Sequence, residues 1–119
     1  MLSSRRVLIV SGDVGVGQPL IEAVELMNGR VVGPAVSAAE AMPLLASTGP
    51  DVVVIDYGSA GPGGMALLDR LLTSGRPVVI CAEPGLLPEF RGEHPTVSVL
   101  STPVRPMRVV GEIAVLLRL

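Results

Sequence analysis

The stretch "DVVVIDYGSAGPGG", residues 51–64, decides the fold: four β-branched apolar residues end in Asp56 and pass into a turn rich in glycine and proline. The apolar run is continuous rather than alternating. A strand of this kind is buried on both faces, as in a parallel sheet covered by helices on each side. Moving outward, four more segments have the same character: "RVLIVS" (6–11), "RVVGPAV" (30–36), "PVVICA" (77–82) and "VSVLS" (97–101). Each is strand-length, rich in β-branched residues and bounded by turn residues.

Helical patterns are predicted between them at Pro19 to Asn28, Ser37 to Ser47, Gly63 to Thr73 and Pro106 to Arg118, with a weak piece at Leu86 to Arg91. Ser37 followed by Glu40 reads as a capping box, Pro19 and Pro106 suit a first turn, and Gly29, Gly49 and Gly75 suit helix stops. Pro43 falls beyond the first turn of its helix and predicts a kink or a later start. "EPGLLPEFRGEHP" (83–95) holds three prolines and two glycines and reads mostly as loop. Strand and helix alternating five times predict a (βα)5, flavodoxin-like, doubly wound α/β domain over residues 1–119, with a five-stranded parallel sheet. Ligand chemistry in such sheets gathers at the carboxyl ends of the strands. The loops at Ser11 to Gln18, Asp56 to Gly64, Ala82 to Leu86 and Ser101 to Arg105 are therefore the ones to interrogate.

Composition excludes several classes of function. At 119 residues the chain suits one domain, and its content of 49% hydrophobic with 2% aromatic residues argues against disorder. Its apolar runs fall far short of the roughly 20 residues that cross a bilayer, and the N-terminus turns polar too early for a signal peptide, so the chain reads as cytoplasmic. A single cysteine, Cys81, permits no internal disulfide. Net charge is -2 and the nine basic residues, all arginine, are scattered, which leaves no stripe for a nucleic-acid backbone.

Strand order, spacing and local strings together resemble the receiver domain of bacterial two-component response regulators, over essentially the whole chain. "DVVVID" resembles the family's third strand, which ends in the phospho-accepting aspartate, so the resemblance makes Asp56 the candidate phosphoacceptor. Gly64, eight residues later, matches the glycine that usually opens the next helix. "VVGPAVSAAEAMPLL" (31–45) is similar to the second strand and helix of one receiver subgroup, and "VLSTPVRP" (99–106) resembles the fifth-strand segment usually written with lysine-proline. The resemblance implies phosphoryl transfer onto a carboxylate. That chemistry needs a divalent cation, usually magnesium, held by an acidic pair after the first strand and by the acceptor, with a hydroxyl and a lysine on the phosphoryl oxygens.

The chain departs from that pattern at nearly every helper position. Ser11 and Gly12 stand where the acidic pair belongs, and Asp13 comes one residue late, placed to cap the following turn. Either Cys81 or Ala82 matches the hydroxyl, depending on register, and neither supplies one; Cys81 also reads as a small buried hydrophobe. Thr102 matches the lysine without its charge, before a proline whose preceding peptide bond is commonly cis in the family. Val99 matches the aromatic switch residue, and Arg105 is a substitute cation or a solvated residue before the last helix. No cofactor is expected. Magnesium, through Asp13 and Asp56, belongs only to a working phosphoacceptor.

The main reading is an atypical receiver that acts as a protein-interaction or dimerisation module in signal transduction or transcription control, without enzymatic activity and independent of phosphorylation. Its expected partners are a sensor kinase, an output domain or another signalling protein, and the chain either stands alone or is joined to an output domain. "PMRVVGEIAVLLRL" (106–119) is apolar more widely than one face requires, which predicts a homodimer interface at Val109, Val110, Ile113, Leu116 and Leu117. One alternative is a functional phosphoacceptor receiver using Asp56. The other is a small nucleotide-binding protein, invited by the glycines of "SGDVGVGQP" (11–19), although their spacing matches neither phosphate-binding fingerprint. The lone histidine, His94, reads as a loop residue.

Overall fold

The computed structural model describes residues 1–85 and 95–119. The weak helical piece at Leu86 to Arg91 and His94 lie outside the described residues. Five strands, β1 (Arg6–Val10), β2 (Arg30–Ala35), β3 (Val52–Asp56), β4 (Val78–Ala82) and β5 (Val97–Ser101), form one parallel sheet in the order β2-β1-β3-β4-β5. Among the described residues four α-helices accompany them: α1 (Val14–Leu26), α2 (Ala38–Thr48) and α3 (Gly64–Ser74) between strands, and α4 (Pro106–Leu117) after β5.

Every residue of β3 and β4 is buried, as a continuous apolar run demands. Alternation then sorts the side chains to two faces. Leu8, Val10, Val53, Ile55, Val78 and Ile80 pack against α2 and α3, while Val7, Ile9, Val52, Val54, Val79 and Cys81 pack against α1 and α4. At roughly 1.5–3 kcal/mol for each fully buried branched side chain, these two layers dominate the stability of the fold.

The helix boundaries show which local signals won. Helix α1 begins five residues before Pro19, because the Asp13 carboxylate accepts a hydrogen bond from Gly15 N at 2.8 Å and so caps the helix earlier. Helix α2 runs through Pro43 without the later start its position predicted; Ser37 caps it by accepting from Glu40 N at 3.2 Å, while the Glu40 carboxylate accepts from Val36 N. Gly49 and Gly75 end α2 and α3 in the left-handed region. Gly29 does not end α1 in that way. Asn28 takes the positive φ, and Gly29 is needed for space, since a Cβ there would lie 2.7 Å from Val24 Cγ1 and 2.8 Å from Leu2 Cδ1.

Helix α4 corrects three residues of the predicted interface. Val109, Val110 and Ile113 have no exposed surface and belong to the core over β1, β3 and β4, with Leu116 and Leu117 half-buried against the same core. The breadth of the apolar face reflects how deeply the helix beds between α1 and the sheet. Its exposed apolar side chains are Met107 and Val115 instead.

Candidate functional site

The order of the sheet places β1 beside β3, so the carboxyl ends of these strands bring Ser11 next to Asp56 across 45 residues of sequence. Asp56 is only 8% exposed. The Ser11 hydroxyl donates to Asp56 Oδ2 at 3.1 Å, and the Ser59 hydroxyl donates to the same oxygen at 2.7 Å. Ser59 sits in the single 3-10 turn, Tyr57–Ser59, that follows β3, which swings its side chain back over the strand end. Its Oγ also accepts from Gly12 N at 2.9 Å. Ser11 Oγ accepts from Asp13 N at 3.2 Å, and Ser11 N donates to Ala35 O at 2.9 Å, which ties β2 into the same corner. Four residues thus form one closed network: two hydroxyls, one carboxylate and the backbone N–H of Gly12.

Gly12 is required by this packing. A Cβ at that position would lie 2.5 Å from the carbonyl oxygen of Ser59 and 3.0 Å from that of Val36. No larger side chain fits without moving backbone. Sequence reasoning identified Ser11, Gly12 and Asp56 but missed Ser59. The only local signal was a hydroxyl three residues beyond the acid, and its reach to Gly12 exists only because β1 and β3 are neighbours.

Asp13 is engaged as the cap of α1. That arrangement also bears on the glycine-rich loop, because a carboxylate already occupies the amide that a phosphate would seek, and Gly15 and Gly17 lie inside the helix. Of the two residues matched to the hydroxyl, Cys81 pairs with Asp56 in register but is wholly buried, while Ala82 packs in the α2/α3 core and lies on the wall of the cleft that holds Asp56; neither brings a hydroxyl. Cys81 is fully buried, and its thiol is pushed up to about 11, first by burial and then by the nearby Asp56 carboxylate, so it remains protonated at neutral pH. Thr102 N donates to Ala82 O at 3.0 Å, and the peptide bond from Thr102 to Pro103 is cis, as the resemblance implied. Val99 is exposed on β5.

Asp56 opens on a cleft of about 360 Å³ whose walls include Asp13, Val16, Ser59, Glu83 and Thr102. Arg105 lies elsewhere, on the wall of a separate depression that Val99, Ser101 and Arg108 also line, and among the described residues no arginine lines the cleft. Magnesium, which the fold implies, does not suit this donor set. Ser11 is neutral, a side chain at Gly12 is blocked by backbone, and the Asp13 carboxylate is turned to its own helix. Among the described residues no cluster of three or more His, Cys, Asp or Glu side chains is arranged to hold a metal ion.

No protein-family model matches the sequence, and no curated protein matches it. Solved structures do. The receiver domain of the PhyR response regulator of Erythrobacter litoralis overlays with a TM-score of 0.82 at 22% identity, covering 98% of this chain and 92% of that one. The receiver domain of Francisella response regulator 1452 gives 0.81 at 21% identity, with 96% and 97% covered. The anti-anti-sigma factor PhyR of Bartonella quintana gives 0.74 at 22% identity; 97% of this chain matches 48% of that one, so the likeness spans about half of the longer protein. The flavodoxin-like sheet, its strand order and these near-complete overlays establish that the chain has the fold of response regulator receiver domains.

Proposed function

We propose that this receiver-fold chain is a protein-interaction module of bacterial signal transduction or transcription control that works without phosphorylation of Asp56 and without a metal. One observation carries the reading: the Ser11 and Ser59 hydroxyls both bond Asp56 Oδ2, while the backbone of Ser59 fills the space that an acidic side chain at Gly12 would need. The network joins the β1–α1 loop to the β3–α3 turn through neutral donors. In a phosphorylated receiver those two loops are joined through a cation and a phosphoryl group. Here the chain's own neutral groups make the connection, and neither Thr102 nor Arg105 supplies the positive charge that a phosphoryl group would require.

The chain's role is binding rather than catalysis, in the cytoplasm, with a signalling protein as partner. Self-association through α4, if the module uses it, falls to Met107 and Val115, which share one stripe of the helix and are exposed. The deciding experiment incubates the chain and Asp56→Asn with a small phosphodonor or beryllium fluoride in magnesium, following mass and oligomeric state. We expect no stable modification and the same association in both proteins. Magnesium-dependent labelling at Asp56 that changes association would instead establish a working phosphoacceptor.

A further inference from the structure

Next to the Asp56 cleft lies a second depression of about 430 Å³, walled by Val16, Pro19 and Leu20 of α1 and by Pro103, Val104 and Pro106 at the start of α4. It shares Val16, Glu83 and Thr102 with the cleft, so the two form one continuous furrow across the carboxyl edge of the sheet. Its ends differ in chemistry. One is apolar, formed by Pro19, Leu20, Pro103 and Val104. The other is walled by Asp13, whose carboxylate caps α1, and by Asp56 and Glu83, with no arginine among the described residues on its walls.

The charge at the acidic end is incompletely satisfied. Both hydroxyl donors converge on Asp56 Oδ2, and among the described residues Oδ1 receives no hydrogen bond and is not a buried atom, so it lies open to the cleft. A carboxylate oxygen open to a cleft with no cation on its walls is complemented by a cationic donor, and the nearby Glu83 carboxylate strengthens that preference.

We infer that the furrow docks a segment of a partner protein that places an arginine or lysine in the Asp56 cleft and adjoining apolar side chains over Val16, Leu20 and Val104. The inference rests on the phosphorylation-independent reading, because a phosphoryl group on Asp56 would fill the cleft with further negative charge. The occupant follows from charge complementarity and from the apolar groove that continues it. An acidic or wholly apolar segment satisfies one end of the furrow only.

The test is selection of binders from a displayed library of random short peptides against the intact chain, with Asp13→Asn, Glu83→Gln and Val104→Ser as counter-targets. Asparagine keeps the cap of α1, and Glu83 is exposed, so these two variants preserve the fold. The expected binders carry a basic residue beside apolar ones. They lose about tenfold in affinity on Glu83→Gln and on Val104→Ser, and weaken as salt rises. Three results overturn the inference: binders without a basic residue, binders that hold the variants as tightly as the original chain, or no binders at all. The phosphorylation-independent reading fails on a different result, magnesium-dependent mass gain at Asp56 in the same samples, so the two failures are distinguishable.

Discussion

Gly12 and Ser59 meet backbone to side chain: Gly12 N donates to Ser59 Oγ at 2.9 Å, and a Cβ on Gly12 would press on Ser59 O at 2.5 Å. The contact closes the place where a metal-binding side chain would stand. Gly12→Ala is therefore expected to cost about 1–3 kcal/mol, the usual range for forcing volume into packed structure. Gly12→Asp restores the acid in sequence but is expected to cost at least as much and to create no magnesium site. Denaturant unfolding with and without magnesium checks both: a midpoint raised by the metal in Gly12→Asp would contradict the account.

Ser11 and Ser59 share one acceptor, so their contributions to stability are coupled. Each alanine substitution removes one donor from a buried carboxylate oxygen and is expected to destabilise by about 1–2 kcal/mol. The double substitution leaves Asp56 Oδ2 with neither hydroxyl. It is expected to exceed the sum of the single changes, or to let the carboxylate turn into the cleft and fall short of it; strict additivity is the result that would show the network is not a unit.

The corrected face of α4 separates packing from association. Ile113→Ala should cost about 2–5 kcal/mol, because the side chain is wholly buried. Val115→Glu, on the exposed stripe, should stay within about 0.5 kcal/mol of the original stability. Sedimentation of Val115→Glu then reports directly on self-association, free of any folding defect.

Glu112 links α4 to β5. Its carboxylate accepts from Ser98 Oγ at 2.7 Å and pairs with Arg108 at 2.6 Å, and these bonds, the Ser98 one foremost, hold it below the usual glutamate value of 4.5. A lowered folded-state value means that the unfolded chain binds the proton more readily. The stabilisation is therefore complete above about pH 4.5 and is lost as the pH falls through the lower folded value. Glu112→Gln should cost about 1 kcal/mol at neutral pH and progressively less in acid; a difference that persists unchanged at low pH would rule this out.

Cys81 is expected to resist alkylation in the folded chain, since burial and Asp56 both oppose its thiolate. It should react at the ordinary rate in denaturant. Rapid labelling under native conditions would show that the sheet interior opens more readily than its packing implies.

Much of this molecule was legible in the sequence because the information is local. Runs such as "DVVVID" carry their burial in their own composition, and Ser37 with Glu40 carries its cap within one helical turn. The same holds for Ser11 and Gly12, which the resemblance to receiver domains marks as standing where an acidic pair is expected. What tertiary structure decided is what lies between distant segments. The Ser11–Asp56–Ser59 network exists because β1 pairs with β3, the start of α1 depends on how Asp13 turns at the strand end, and the apolar width of α4 became core because α1 and the sheet flank it. Side-chain chemistry can be read along a chain, but whether an apolar or polar group meets a partner or water is set by non-local packing.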